Sequence, residues 1–313
     1  MSSPADNPDL PQPVPSGAMG GRRRVGIILV NFRNPADTLK CLASLQGLHT
    51  PNTTIVVVDN GSHDGSASQI ERCPYVFHLL ESDTNFGFSG GNNLAIRFLL
   101  KQAVDYIWLL NNDTTVEADT LNHLLDEAER TGGLVGSLIL NEDGTYQRAG
   151  TRINWVTGRS QDIPADDVQD GMNVECLCGA SLLIPVPVLR RIDLLDESFF
   201  LYFEDSEYSL RAQKAGIACT LAAQSRVYHK EGATTGKTSL LTQYYYQRNR
   251  LLLLSQYADP VNHIGIGAYT LFRLLRSMMK ACRSAEDKAS FRVTLLAVKD
   301  FLQGRFGPCR HRL

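Results

Sequence analysis

"VGIILVNFRNPAD" (residues 25–37) decides the fold of this chain. It opens with an unbroken apolar run, as a parallel strand covered on both faces requires. Asn34 and Pro35 follow as a helix cap and a first-turn proline, and Asp37 puts an acid in that turn. The pattern predicts strand, turn, then helix to about residue 48. It recurs downstream. "TTIVVVDN" (53–60) and "VFHLLES" (76–82) read as further strands, each followed by a turn and a helix, the later one within "GGNNLAIRFLLKQA" (90–103). "YIWLLNND" (106–113) reads as a fourth strand and "EADTLNHLLDEAER" (117–130) as the next helix. This alternation predicts an α/β fold: a doubly wound, mostly parallel sheet flanked by helices.

Beyond residue 134 the pattern loosens. "LVGSLILN" (134–141) and "TYQRAGTRI" (145–153) suggest a hairpin, and 155–173 a polar loop. "CLCGASLLIPV" (176–186) and "ACTLAAQSRVYH" (218–229) read as strands. "EDSEYSLRAQKAG" (204–216) reads as a helix ending at a glycine, and long helices fill 240–303. The expected organisation is a Pro-, Ser- and Gly-rich disordered tail over 1–22, one α/β domain over 23–239 and a helical region over 240–313.

Composition narrows the function classes. Lys and Arg number 31 against 33 Asp and Glu, a net charge of −2, which argues against binding nucleic acid through overall charge. The seven cysteines are odd in number and no signal peptide precedes them, so reduced thiols in a cytosol are expected. Cys176 and Cys178 form C-x-C without a second pair at zinc-site spacing, which favours packing over metal binding. No run of 18 apolar residues predicts a membrane-spanning helix.

In open α/β sheets ligands sit outside the carboxyl ends of the strands. Three such ends are polar: Asn31-Phe32-Arg33, Asp59-Asn60 and Asn111-Asn112-Asp113. Asn and Asp also cap strands routinely, but three polar ends on one rim point to a site. The glycine-rich turn "NFGFSGGNN" (85–93) after the third strand leads into a helix N-terminus, where backbone N–H groups can hold an anion. It is not G-x-G-x-x-G, so a nicotinamide enzyme fits poorly.

The chain resembles the family 2 nucleotide-sugar glycosyltransferases of GT-A fold, in the branch of bacterial rhamnosyl- and galactofuranosyl-type enzymes. The residues that carry the resemblance are "IILVNFRN" (27–34), "IVVVDNGSHDGS" (55–66), "NFGFSGGNN" (85–93), "LLNNDT" (109–114), "GASLLIPVPVL" (179–189), "FFLYFEDSEYSLRAQKAG" (199–216), "VYHKEGATTG" (227–236) and "YYYQRNRLLLL" (244–254). They stand in family order across roughly 25–255.

The resemblance implies an inverting transfer from a UDP- or dTDP-sugar, with L-rhamnose the first choice of sugar, to a hydroxyl of a glycan or lipid-linked acceptor. Asp113 matches the last acid of the family's D-x-D motif, whose first acid is Asn111 here. Mg²⁺ or Mn²⁺ eases departure of a diphosphate by bridging its oxygens, and takes most of its ligands from phosphate and water. His229 matches the residue that completes that site, although it also reads as an ordinary strand-end histidine. Asp59 matches the acid that accepts the imide N–H of uracil or thymine. Asn31, Arg33, Asn85, Asn112 and one of Asn92 and Asn93 are implied nucleotide-side partners. Asp205 matches the base that deprotonates the acceptor, with Glu204 beside it; two acids also suit a helix start. Arg248 is expected near the diphosphate or on a solvated helix face.

Residues 268–283 place Arg273, Arg276, Lys280 and Arg283 at spacings of three and four among leucines and methionines. Such a helix lies on the anionic inner face of a membrane, or packs on the main domain or a second subunit. Two rivals remain: a non-catalytic glycan- or nucleotide-binding relative, and a sugar nucleotidyltransferase. The latter calls for a glycine-rich basic loop after the first strand, which "NFRNPAD" is not.

Overall fold

A computed structural model describes residues 23–50, 52–230 and 239–313. The tail expected over 1–22 and most of "KEGATTG" (230–236) lie outside the described residues.

The first half alternates as its sequence predicts. It runs β1 (Val25–Asn31), α1 (Pro35–Leu45), β2 (Thr53–Asn60), α2 (Ser66–Glu71), β3 (His78–Ser82), α3 (Gly87–Leu100) and β4 (Tyr106–Leu110). Then come β5 (Thr114–Val116), α4 (Thr120–Thr131), β6 (Leu134–Leu140) and β7 (Tyr146–Arg148). A hairpin of β8 (Thr151–Asn154) and β9 (Arg159–Asp162) stands in what reads as a polar loop. Its outward-facing Arg, Gln and Asp hide the strand period from a hydrophobicity pattern. β10 (Ser181–Pro185), α5 (Val186–Ile192), α6 (Glu204–Lys214) and β11 (Cys219–His229) complete the α/β part. α7 (Leu240–Tyr257), α8 (Pro260–Lys280) and α9 (Ala285–Leu302) follow.

The main sheet has the order β3-β2-β1-β4-β10-β6-β11-β5, with β7 paired to β6. β3, β2, β1 and β4 are parallel, and β6 and β11 are parallel. β10 runs antiparallel between β4 and β6, and β5 antiparallel beside β11. The sheet is therefore mixed where the alternation alone predicts parallel neighbours. Two apolar layers sandwich it: Ile28, Val56, Val58 and Leu109 face one side, and Ile27, Leu29, Val57 and Trp108 the other. That double burial is why the strands read as continuous apolar runs. Among the described residues no helix is long and apolar enough to cross a membrane.

Candidate active site

A cavity of about 540 Å³ opens at the carboxyl ends of the parallel strands, a size suited to a small ligand. Asn60, Asn85, Asn92, Asn111, Asn112, Asp113, Arg148, Glu204, Asp205 and His229 all reach its wall.

At one end, strand register brings Asp113 and His229 together. His229 of β11 pairs with Thr114 of β5, which sets its ring beside the preceding residue. His229 Nε2 lies 3.2 Å from Asp113 Oδ1, a buried oxygen that accepts no hydrogen bond. Gln147 determines which ring nitrogen carries the hydrogen. Its Nε2 donates to Asn141 Oδ1 (2.9 Å) and His229 O (3.2 Å), so its Oε1 faces His229 Nδ1 at 2.9 Å. Nδ1 is then an N–H, which in the Nδ1–H tautomer leaves Nε2 with a lone pair on the Asp113 side. Asn111 Nδ2, 3.4 Å from Nε2, is placed to donate to that lone pair. A lone-pair nitrogen facing an unpartnered carboxylate oxygen is a donor set that suits a divalent cation. No cluster of three or more His, Cys, Asp or Glu side chains stands here among the described residues.

The opposite wall holds the acids that head α6. Asp205 Oδ2 accepts from Gly179 N (2.9 Å) and Oδ1 from Ser206 N (2.7 Å). A Cβ on Gly179 would lie 3.3 Å from Asp205 Oδ2, so the missing side chain is what lets the acid approach. Glu204 is buried and its Oε2 has no partner. Burial, and then the neighbouring Asp205 charge, push its carboxyl up to about 8. The two acids are thereby separated: Glu204 keeps its proton at neutral pH, while Asp205 is hydrogen-bonded only as an acceptor.

Of the other strand-end residues Asn112 lines the cavity, whereas Asn31, Arg33 and Asp59 are not among its lining residues. Asn31 and Asp59 are register partners on β1 and β2. Asn31 Nδ2 (2.7 Å) and Ser62 Oγ (2.5 Å) both donate to Asp59 Oδ1, which leaves Oδ2 for an outside donor. Asn31 is itself fully buried and orients Asp59. Arg33, exposed at φ 56°, is tied to the Ser62 turn through its backbone N–H and Nε. Asn112 Nδ2 donates to Thr38 Oγ1 (2.9 Å).

A family model described as Glycosyl transferase family 2 matches residues 26–192, more than half of the chain. The chain belongs to that family. It is a glycosyltransferase. It is 25% identical over 281 residues to a low-salt glycan biosynthesis hexosyltransferase of Haloferax volcanii, covering 84% of this chain and 85% of that one. It is 25% identical over 241 residues to an N-acetylglucosaminyl-diphospho-decaprenol L-rhamnosyltransferase of Mycobacterium tuberculosis, covering 67% of this chain and 77% of that one. A dTDP-rhamnosyl transferase of Shigella flexneri is 20% identical, with 91% and 97% covered. Among solved structures, a mannosyltransferase from Pyrobaculum calidifontis with GDP-Man and Mn²⁺ superposes with TM-score 0.57 at 14% identity, covering 91% of this chain and 89% of that one. TarS of S. aureus with UDP-GlcNAc gives 0.55 at 17%, with 90% and 81% covered. These likenesses show the GT-A glycosyltransferase fold.

Several residues of the glycosyltransferase stand elsewhere than the sequence suggests. Arg248 is fully buried and does not line the cavity. Its guanidinium donates to Gly307 O (2.7 Å) and Ser198 O (3.2 Å) and lies over the Tyr244 and Tyr245 rings, so it faces no diphosphate here. Asn249 beside it donates to Phe199 O (2.5 Å), Leu201 O (2.8 Å) and Tyr202 O (2.9 Å). In that segment Phe200, Tyr202 and Phe203 all have left-handed φ (58°, 69° and 72°), which costs on the order of 1–3 kcal/mol each without such support. Asn93 donates to Leu195 O and Glu197 Oε1 (2.9 Å each) and joins α3 to the chain before that loop. Asn92 lines the cavity instead, since adjacent helix residues point about 100° apart. Three amides at the head of the glycine turn are already engaged. Phe86 N and Gly87 N donate to Asn60 and Asn85, and Phe88 N to Phe200 O (2.7 Å). Gly87, at φ +71°, admits that close approach: a Cβ there would sit 2.2 Å from Phe200 O. Cys176 and Cys178 are thiols pushed up by burial.

Sequence reasoning missed Arg148 and Gln147, and named Asn60 only as part of a polar strand end. Arg148 reaches the cavity wall while pairing with Asp162 (Nε–Oδ1 2.6 Å). Only the pairing of β7 with β6 shows that residues 147 and 148 face the site. No spacing in the chain carries that signal.

Proposed function

We infer that this glycosyltransferase is inverting and metal-assisted, and moves a sugar from a UDP- or dTDP-linked donor to a hydroxyl of a glycan or lipid-linked saccharide. The observation that carries this reading is one cavity with the Asp113–His229 pair at one end and the Glu204–Asp205 pair at the other. Asp113 Oδ1 and His229 Nε2 would hold Mg²⁺ or Mn²⁺, which when bound neutralises charge on the departing diphosphate. The mannosyltransferase of the same fold is a complex with Mn²⁺, which supports a divalent cation as cofactor. Asp59 Oδ2 accepts an imide N–H and so selects uracil or thymine over cytosine. Asn85, Asn112 and Arg148 line the same cavity and would contact the donor. Asp205, oriented by Gly179 N and Ser206 N, takes the proton from the acceptor hydroxyl as its oxygen attacks the anomeric carbon. Glu204, neutral below about 8, donates a hydrogen bond to a sugar hydroxyl. The rhamnosyltransferases among the relatives make L-rhamnose the first choice of donor sugar.

A hydrolysis screen of nucleotide sugars with Mg²⁺ or Mn²⁺ tests this. The expected result is turnover of a uridine or thymidine diphosphate sugar that chelator abolishes and Asp205→Asn suppresses. Equal turnover of a cytidine- or guanosine-linked sugar, or turnover indifferent to chelator, overturns it.

A further inference from the structure

We propose that the outer face of α8 docks on an anionic lipid bilayer. The sequence alone leaves open whether the apolar residues of this helix pack inward. The structure places most of them outside. The inward face is narrow: Ile266 is buried, and the Thr270 hydroxyl meets Arg250 Nη2 at 3.0 Å. Ile264, Leu271, Phe272, Leu275, Met278 and Met279 are between 48% and 81% exposed. At about 100° per residue these six fall within an arc of about 120° and form one apolar stripe. An apolar groove of about 380 Å³ between α7, α8 and α9 continues it, shares Leu271, and carries exposed Leu302 at its lip.

Charge identifies the occupant. Residues 260–283 contain Arg273, Arg276, Lys280 and Arg283 and no Asp or Glu, in a chain of net charge −2. Arg276 and Lys280 flank one edge of the stripe and Arg283 stands just past the helix end. All three are exposed and form no ion pair among the described residues. An apolar stripe edged by cations matches an interface where acyl chains lie beneath anionic headgroups. A second copy fits less well: antiparallel two-fold pairing of the stripes would set the basic edge of one against the basic edge of the other.

The test is flotation of the full chain with phosphatidylcholine vesicles, with and without phosphatidylglycerol. Binding is expected only with phosphatidylglycerol, and raised salt should release it. The double change Phe272→Glu/Met279→Glu should abolish flotation, and Arg276→Glu/Lys280→Glu should weaken it at least about tenfold. Neither should alter the thermal midpoint or nucleotide-sugar hydrolysis in solution, because these side chains stand apart from the cavity. Flotation without a phosphatidylglycerol preference, or unchanged in both variants, overturns the proposal. So does a wild-type dimer in ultracentrifugation that Phe272→Glu/Met279→Glu dissociates.

Discussion

On one side of the site, Asn31, Asp59 and Asn112 leave the ends of neighbouring strands, their placement following from register, and of these Asn112 lines the cavity. On the other, Glu204 and Asp205 follow a loop in which three of four residues from 200 to 203 have left-handed φ. The first rim is built from local periodicity and would arise in any sheet of this order. The second is held by α7, whose Asn249 is fully buried and donates to three carbonyls of the loop. The two rims should therefore fail differently when disturbed.

The sharpest contrast comes from Asp205→Asn. It keeps the volume and one of the two oxygens that accept from Gly179 N and Ser206 N but removes the base, so turnover should drop by roughly 10²–10⁴-fold. Nucleotide binding, measured by calorimetry, should hold, because the strand-end rim is untouched. A matching loss of affinity would erase the distinction between the rims.

Asn249→Leu comes next. It removes the Asn249 donor from three loop carbonyls, of which Phe199 O keeps Leu201 N, and should cost about 3 kcal/mol or more of stability in urea denaturation. In the surviving folded fraction turnover should fall while nucleotide affinity stays level. Full activity in a folded Asn249→Leu protein would mean that the loop needs no clamp.

Gln147→Leu probes the strand-end side alone. Without the acceptor at Nδ1 the His229 ring loses its preferred tautomer, and Mn²⁺ affinity should weaken about 10- to 100-fold by electron paramagnetic resonance titration. Gln147→Glu, which still accepts from Nδ1, should recover most of it. The Asp205 rim should be unaffected, so nucleotide-independent stability should change little.

The smallest effect concerns pH. The folded protein holds the Glu204 proton to about 8, whereas an unfolded chain releases it near the ordinary 4.5. The folded state thus binds more protons between those values, and this group's stabilisation, full below 4.5, declines as pH rises and is gone above about 8. Glu204→Gln should flatten that part of the thermal-midpoint profile. A profile of unchanged slope would show that another group supplies it.

The alternation of β1 to β4 with their helices was legible because both faces of those strands are buried, and burial writes itself into the sequence as unbroken apolar runs. The polar strand ends were legible for the same reason: they interrupt such runs at the point where ligands bind. Eight family motifs in order extended that reading to Asp113, Asp205 and His229. Their grouping in one cavity needed more, because the antiparallel insertion of β10 joins segments 71 to 79 residues apart and the pairing of His229 with Thr114 spans 115. Arg248 shows the limit most plainly. As a residue in a helix it reads equally as ligand contact or solvated face, and only the return of the C-terminal segment to Gly307 buries it. Hydrophobic period and turn chemistry are local, so the chain itself determined its strands, its helices and the acids at their ends. Which wall each acid faces, which ring nitrogen carries a hydrogen, and which apolar stripe is left uncovered depend on contacts between distant segments, and only the folded arrangement decided them.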